Sequence, residues 1–206
     1  MPSPPPRRGY ADTASGQLHC AESSTGAPLI LLHQTPRSHD EFTGIQPLPV
    51  RGRRVITMDM YGFGLPAKPP APQTIEQHAE GVLALAGVLG PARFAVLGHH
   101  TGAFVAGEVA SAASGRVTAL VLSGAEYGDE EFRRAEATAD HAPTREDGHH
   151  LLQLRDSRRP LYPGGRPGLL DRYVRDALVS GVDPLEGHAA CARYVPATSG
   201  RTGSSW

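Results

Sequence analysis

Apolar residues in this chain gather into short runs that stop abruptly at polar ones. Pro28 to Leu32 is such a run, ending at His33, and Arg54 to Met58 is another, ending at Asp59. Both predict buried strands with polar residues at their carboxyl ends. Upstream, Gly9 to Thr13 and Gln17 to Glu22 flank Ala14-Ser15-Gly16, a small-residue turn that predicts a hairpin. Between Thr74 and Leu89 the period changes: Ile75, Ala79, Val82, Leu83, Ala86 and Leu89 recur at helical spacing, with Thr74 and Gln77 placed as a capping box. Phe94 to Leu97 predicts a third buried strand running into Gly98, Thr101 to about Ser111 a second helix, and Val117 to Leu122 a further strand.

Strands alternating with helices in this order predict a mainly parallel α/β sheet with crossover helices, and place ligand chemistry at the carboxyl ends of its strands. From Gly128 the pattern turns to polar helical stretches, with Leu170, Tyr173, Val174 and Ala177 on one face and Pro160 to Gly168 as an interruption. The chain is thus divided into a core over residues 9–127, a helical cap or lid over 128–195, and a tail over 196–206 whose small and polar residues predict disorder.

Composition narrows the function classes. At 206 residues, 39% of them hydrophobic, one globular domain is the expectation. Twenty basic residues nearly cancel 21 acidic ones, so no broad field recruits nucleic acid or anionic lipid, and the clusters Arg51 to Arg54 and Arg155 to Arg159 read as solvated surface. No apolar run has the length of a membrane span or the form of a signal peptide, which places the protein in the cytoplasm, away from membranes. Cys20 and Cys191 have no metal-ligand or redox spacing and read as thiols.

The candidate chemistry stands at the ends of three predicted strands: His33-Gln34-Thr35-Pro36, Asp59-Met60-Tyr61-Gly62-Phe63-Gly64, and Gly98-His99-His100-Thr101-Gly102. In this register they resemble the α/β-hydrolase superfamily over about residues 9–195, most closely its smaller ester, epoxide and halide hydrolases. The resemblance implies a sharp turn that lifts one side chain above the sheet, where the family carries Ser, Asp or Cys and this chain carries His100. Four readings of His100 stand open: a lost nucleophile in a silent binding protein, an attacking imidazole, a general base for water, or a bystander to Thr101. The resemblance also implies backbone oxyanion donors at Gln34 and Thr101, and it offers Glu126 as the acid, a residue that reads equally as a surface glutamate beside Asp129, Glu130 and Glu131. His33 and His99 are candidates for touching substrate, with His33 also read as a brace for its loop.

The family's late histidine, carried after two further strands, has no counterpart here, so the fold is expected to lack the last two strands, through truncation or a frame change near residue 195. Val117 to Leu122 would then be an exposed edge favouring a homodimer. Gly62-Phe63-Gly64 superficially fits a dinucleotide fingerprint, but Pro66, Pro69, Pro70 and Pro72 block the helix that a pyrophosphate needs. His33, His99, His100, His149 and His150 lack the helical spacing of a zinc site. No metal and no cofactor is therefore expected. The function read from these residues is hydrolysis of a small ester, lactone or epoxide-like substrate; the alternatives are a catalytically inactive small-molecule-binding relative and a truncated fragment.

Overall fold

The computed structural model describes residues 5–46, 48, 52–65, 72–125, 128–137, 144–180, 183 and 185–196. The tail expected to be disordered therefore lies, from residue 197 onward, outside the described residues. Strands β1 (Arg7–Thr13), β2 (Gly16–Ser23), β3 (Ala27–Leu32), β4 (Arg53–Met58), β5 (Phe94–His99) and β6 (Val117–Ser123) form one sheet in the order β1-β2-β4-β3-β5-β6. The β1–β2 hairpin turns at Ala14-Ser15, and β2 pairs antiparallel with β4; from β4 to β6 every pairing is parallel. Helix α1 (Ile75–Leu89) carries the chain from β4 across β3 to β5, and α2 (Thr101–Ala112) carries it on to β6.

Side chains alternate along the central strands as the two-residue period requires. Ile30, Leu32, Ile56, Met58, Phe94 and Val96 join the main core with Val82 and Leu85 of α1 and Val105 and Val109 of α2. Leu29, Leu31, Val55 and Leu97 belong to a smaller cluster that Phe42 joins from a 3₁₀ turn at His39–Phe42. Burial on both faces explains why these strands read as unbroken apolar runs rather than as an alternation. Each large apolar side chain removed completely from water contributes roughly 1.5–3 kcal/mol. Helix α1 starts as its sequence predicts, the Thr74 hydroxyl accepting from Gln77 N and the Gln77 side chain accepting from Thr74 N, and it ends at Gly90 in the left-handed conformation.

Beyond β6 the described residues form only helices: α3 (Glu130–Ala137), α4 (His149–Arg158), α5 (Pro167–Val179) and α6 (Glu186–Arg193). The segment read as one cap divides in two. Ala190, Cys191 and Tyr194, on and just after α6, are part of the main core, whereas α4 has no buried residue. Among the described residues β6 has no outer neighbour, and Leu120, Val121 and Leu122 are exposed on it. No described helix is long and apolar enough to cross a membrane.

His78 is an exception to apolar burial. It lies on the core side of α1 against Phe63, and its Nδ1 has no hydrogen-bond partner among the described residues. Burial, helped by the neighbouring His33, holds its pKa down to about 4 against an ordinary 6.5. Because the folded value lies below the unfolded one, this stability is present above pH 6.5 and is lost as pH falls toward 4. Urea unfolding at pH 7 and pH 5 should therefore show about 2 kcal/mol less loss of stability in His78→Leu than in the wild type. Equal losses in both proteins would mean that His78 already takes up its proton in the folded state.

Candidate active site

The strand order reverses at β3: the chain leaves it for β4 on one side and returns by α1 to β5 on the other. The carboxyl ends of β3 and β5 are thus neighbours at a topological switch point, where open α/β sheets place their ligands. At the end of β5, His100 has φ 47° and ψ −117°, between a strand that ends at His99 and a helix that begins at Thr101. Such a conformation in a residue with a side chain costs on the order of 1–3 kcal/mol and persists because the surroundings impose it. A Cβ on Gly98 would lie 1.9 Å from Gly102 O, and one on Gly102 would lie 2.3 Å from Leu32 O. Glycine at both positions is what allows β5, α2 and β3 to approach this closely. His100 N donates to Ser123 O (3.0 Å), and beyond it Gly124, at φ 58°, leaves room for the imidazole, since a Cβ there would lie 3.1 Å from His100 Nε2. His100 is exposed at the centre of a turn in which Gly98, Thr101 and Gly102 are buried and His99 is half-buried.

The loop after β3 holds three of the sequence candidates in different ways. His33, read both as a candidate for touching substrate and as a brace for its loop, is fully buried, and both ring nitrogens are engaged in bracing loops. Its Nε2 accepts from Met60 N (3.0 Å), so the proton is on Nδ1, which donates to Gln34 O (2.8 Å). Burial keeps its pKa below the ordinary histidine value, consistent with this neutral form. Gln34 N, the implied oxyanion donor, gives its hydrogen to Glu41 Oε2 (3.1 Å), while Glu41 Oε1 accepts from His99 Nδ1. A carboxylate of the protein itself thus occupies that amide. The His99 ring meets His100 edge-on, with centroids 4.6 Å apart. Thr101 is turned inward, its hydroxyl 2.9 Å from that of Thr35, and its N–H, at the start of α2, has no acceptor within the helix. Glu126 lies outside the described residues.

Above the turn is a cavity of about 540 Å³, whose walls include Gln34, Glu41, His99, His100 and Thr101. The helical segment adds Glu136 from α3, Arg158 from α4 and His188 from α6 to those walls. His188 Nδ1 and Glu136 Oε2 are 2.7 Å apart, so the carboxylate accepts from Nδ1–H and Nε2 is left as the basic nitrogen. The pair is carried on packed aromatics: Phe132 of α3 stacks on Phe104 of α2 at 5.4 Å, and Tyr194 meets Phe104 edge-on. Gly187 lets α6 settle against Thr35, where a Cβ would lie 1.8 Å from the Thr35 hydroxyl. His149 and His150 are not among the cavity walls. Arg158 is one of them, although the sequence placed its cluster on solvated surface. No motif marks Glu41, Glu136, His188 or Arg158.

Among the described residues, three side chains of metal-ligand type do come together in the interior: His19 and His39, on Asp59. Both Asp59 oxygens are already engaged: Oδ2 by His19 Nδ1 (2.9 Å) and Leu65 N (3.2 Å), Oδ1 by His39 N (2.5 Å) and Nδ1 (3.0 Å). In this arrangement the carboxylate works as a hydrogen-bonded hub.

A family model described as alpha/beta hydrolase fold matches residues 27–180, and the chain belongs to that family. Among solved structures, an alpha/beta hydrolase from Nostoc sp PCC 7120 is similar at a TM-score of 0.72 and 21% identity, over 91% of this chain and 72% of that one. An esterase from Thermogutta terrifontis is similar at 0.67 and 23%, over 90% and 71%. The enol-lactonase from Burkholderia xenovorans follows at 0.66 and 21%, over 89% and 72%. At these identities the likeness is one of fold.

Truncating Glu41 tests the engagement of the Gln34 amide. Glu41→Ala should cost about 2 kcal/mol in urea unfolding, the range for losing a charge-assisted hydrogen bond. In the same variant the Gln34 amide proton should move upfield in the NMR spectrum. An unmoved resonance would show that this amide does not donate to Glu41.

Proposed function

We propose that the protein hydrolyses a small ester or lactone, with His100 as the group that meets the substrate carbonyl. The observation that carries this reading is the positive-φ conformation of His100 between Gly98 and Gly102, which presents an imidazole to the cavity at the position where relatives of this fold carry their nucleophile. Neutral imidazole attacks acyl carbon near neutral pH, and the developing oxyanion is met by Thr101 N–H. Collapse releases the alkoxide and leaves the acyl group on His100. Water then attacks the acyl-imidazole, His188 Nε2 takes its proton, and Glu136 stabilises the imidazolium, as an acid does in a hydrolytic triad. The departing alkoxide takes up the proton that the acylated ring sheds from its other nitrogen, and His188 returns water's proton to the ring as the acid leaves, so ester and water yield acid and alcohol with His100 restored.

A second reading, binding of a small molecule without turnover, is favoured by Glu41, which holds the Gln34 amide that would complete the oxyanion hole. Hydrolysis of p-nitrophenyl acetate separates the two. The first reading expects turnover that falls at least about 100-fold in His100→Ala, the scale of losing a group that acts in the chemical step. It also expects an acetyl adduct that accumulates on His188→Gln in intact mass. Absence of both turnover and adduct in the wild type and in Glu41→Ala would overturn the first reading.

A further inference from the structure

The charges around the cavity are unevenly matched. Glu41 is paired with His99, and Glu136 with His188. Arg37 donates to Asp176 (2.9 Å) and to the Tyr162 hydroxyl (3.0 Å). Arg158 has no carboxylate partner among the described residues, and its Nε is buried without a hydrogen-bond acceptor. Its guanidinium lies 5.3 Å from the centroid of the Tyr173 ring, and that of Arg37 lies 5.8 Å from the same ring. Two cations therefore share one aromatic, and only one of them is neutralised. A half-buried guanidinium on the cavity wall, held by Tyr173 but with no carboxylate of its own among the described residues, leaves a place for an anion in the cavity.

We propose that Arg158 receives a carboxylate of the substrate, so that the cavity selects esters or lactones whose acyl part carries one negative charge at the end away from His100. This rests on the hydrolase reading above and deepens it. One guanidinium without a carboxylate of its own matches a single negative charge. The carboxylates of Glu41 and Glu136, elsewhere on the same walls, oppose a doubly charged group such as phosphate. Leu161 and Phe104 supply the apolar surface that a short carbon chain between the two ends requires. The guanidinium holds the carboxylate through paired N–H donors, which an ammonium cannot reproduce.

Two measurements test this. In kinetics, the wild type should hydrolyse mono-p-nitrophenyl glutarate with a kcat/KM at least tenfold above that for p-nitrophenyl valerate. Arg158→Gln should abolish that preference through KM, and Arg158→Lys should keep part of it. In calorimetry, which needs no turnover, butyrate should bind the wild type at least tenfold more tightly than butyramide, and Arg158→Gln should remove the difference. Loss of turnover on both esters with butyrate selectivity intact would overturn the hydrolase reading and leave the anion site standing. Equal binding of butyrate and butyramide, selectivity unchanged in a folded Arg158→Gln, or inorganic phosphate binding more tightly than butyrate would overturn the anion site.

Discussion

The carboxylate of Asp59, at the end of β4, accepts hydrogen bonds from His19 on β2, from both the backbone and the ring of His39, and from Leu65 N in the loop that follows it. Burial alone would raise its pKa, but the two histidine donors and the nearby imidazoles overcome that and hold it well below the usual carboxylate range. Gly64 is fitted against it so closely that a Cβ would lie 2.5 Å from the carboxyl carbon. One ionised group thereby joins the antiparallel edge of the sheet, the 3₁₀ turn and the loop after β4. Removing one partner from so buried a network leaves unpaired donors behind, which costs far more than a surface ion pair contributes.

The candidate site is assembled on that joint. The 3₁₀ turn that Asp59 holds by His39 also carries Glu41, and Glu41 reaches back to Gln34 and His99. His33 links the loop after β3 to the loop after β4 through Met60. These loops are positioned by buried polar bonds, and the turn at His100 by the close approach of Gly98 and Gly102 to neighbouring backbone. What they hold is two imidazole–carboxylate pairs, His99–Glu41 and His188–Glu136, with His100 at the apex of the turn. A polar constellation of this kind keeps its geometry only when its supporting residues are themselves fixed.

The helical segment contributes more to this arrangement than a lid would. Helix α6 is seated in the main core and carries His188 on the same turns that bury Ala190 and Cys191. A basic group on a core-packed element is held more tightly than one on a surface loop. Helix α4 lacks buried residues, and it contributes Arg158 at its end. The proposed division of labour follows from these supports, with the chemistry on the rigid side and substrate choice on the more exposed one.

Local pattern determined the scaffold. Apolar runs gave β3, β4 and β5, helical spacing with a capping box gave α1, and three polar motifs at strand ends marked the family and put His100 at the turn, because strands, caps and sharp turns leave their physical requirements in adjacent residues. Only the tertiary structure decided what surrounds that turn. Glu41 and His99 are 58 residues apart, Glu136 and His188 are 52 apart, and neither pair has any periodic or spacing signature. The same limit left His33 open between the mouth and a bracing role until the packing enclosed it, and it explains Arg158, which composition placed among surface arginines. A hydrogen bond between distant elements depends on where the whole sheet and its helices bring their ends, and that is a property of the packed core rather than of any stretch of sequence.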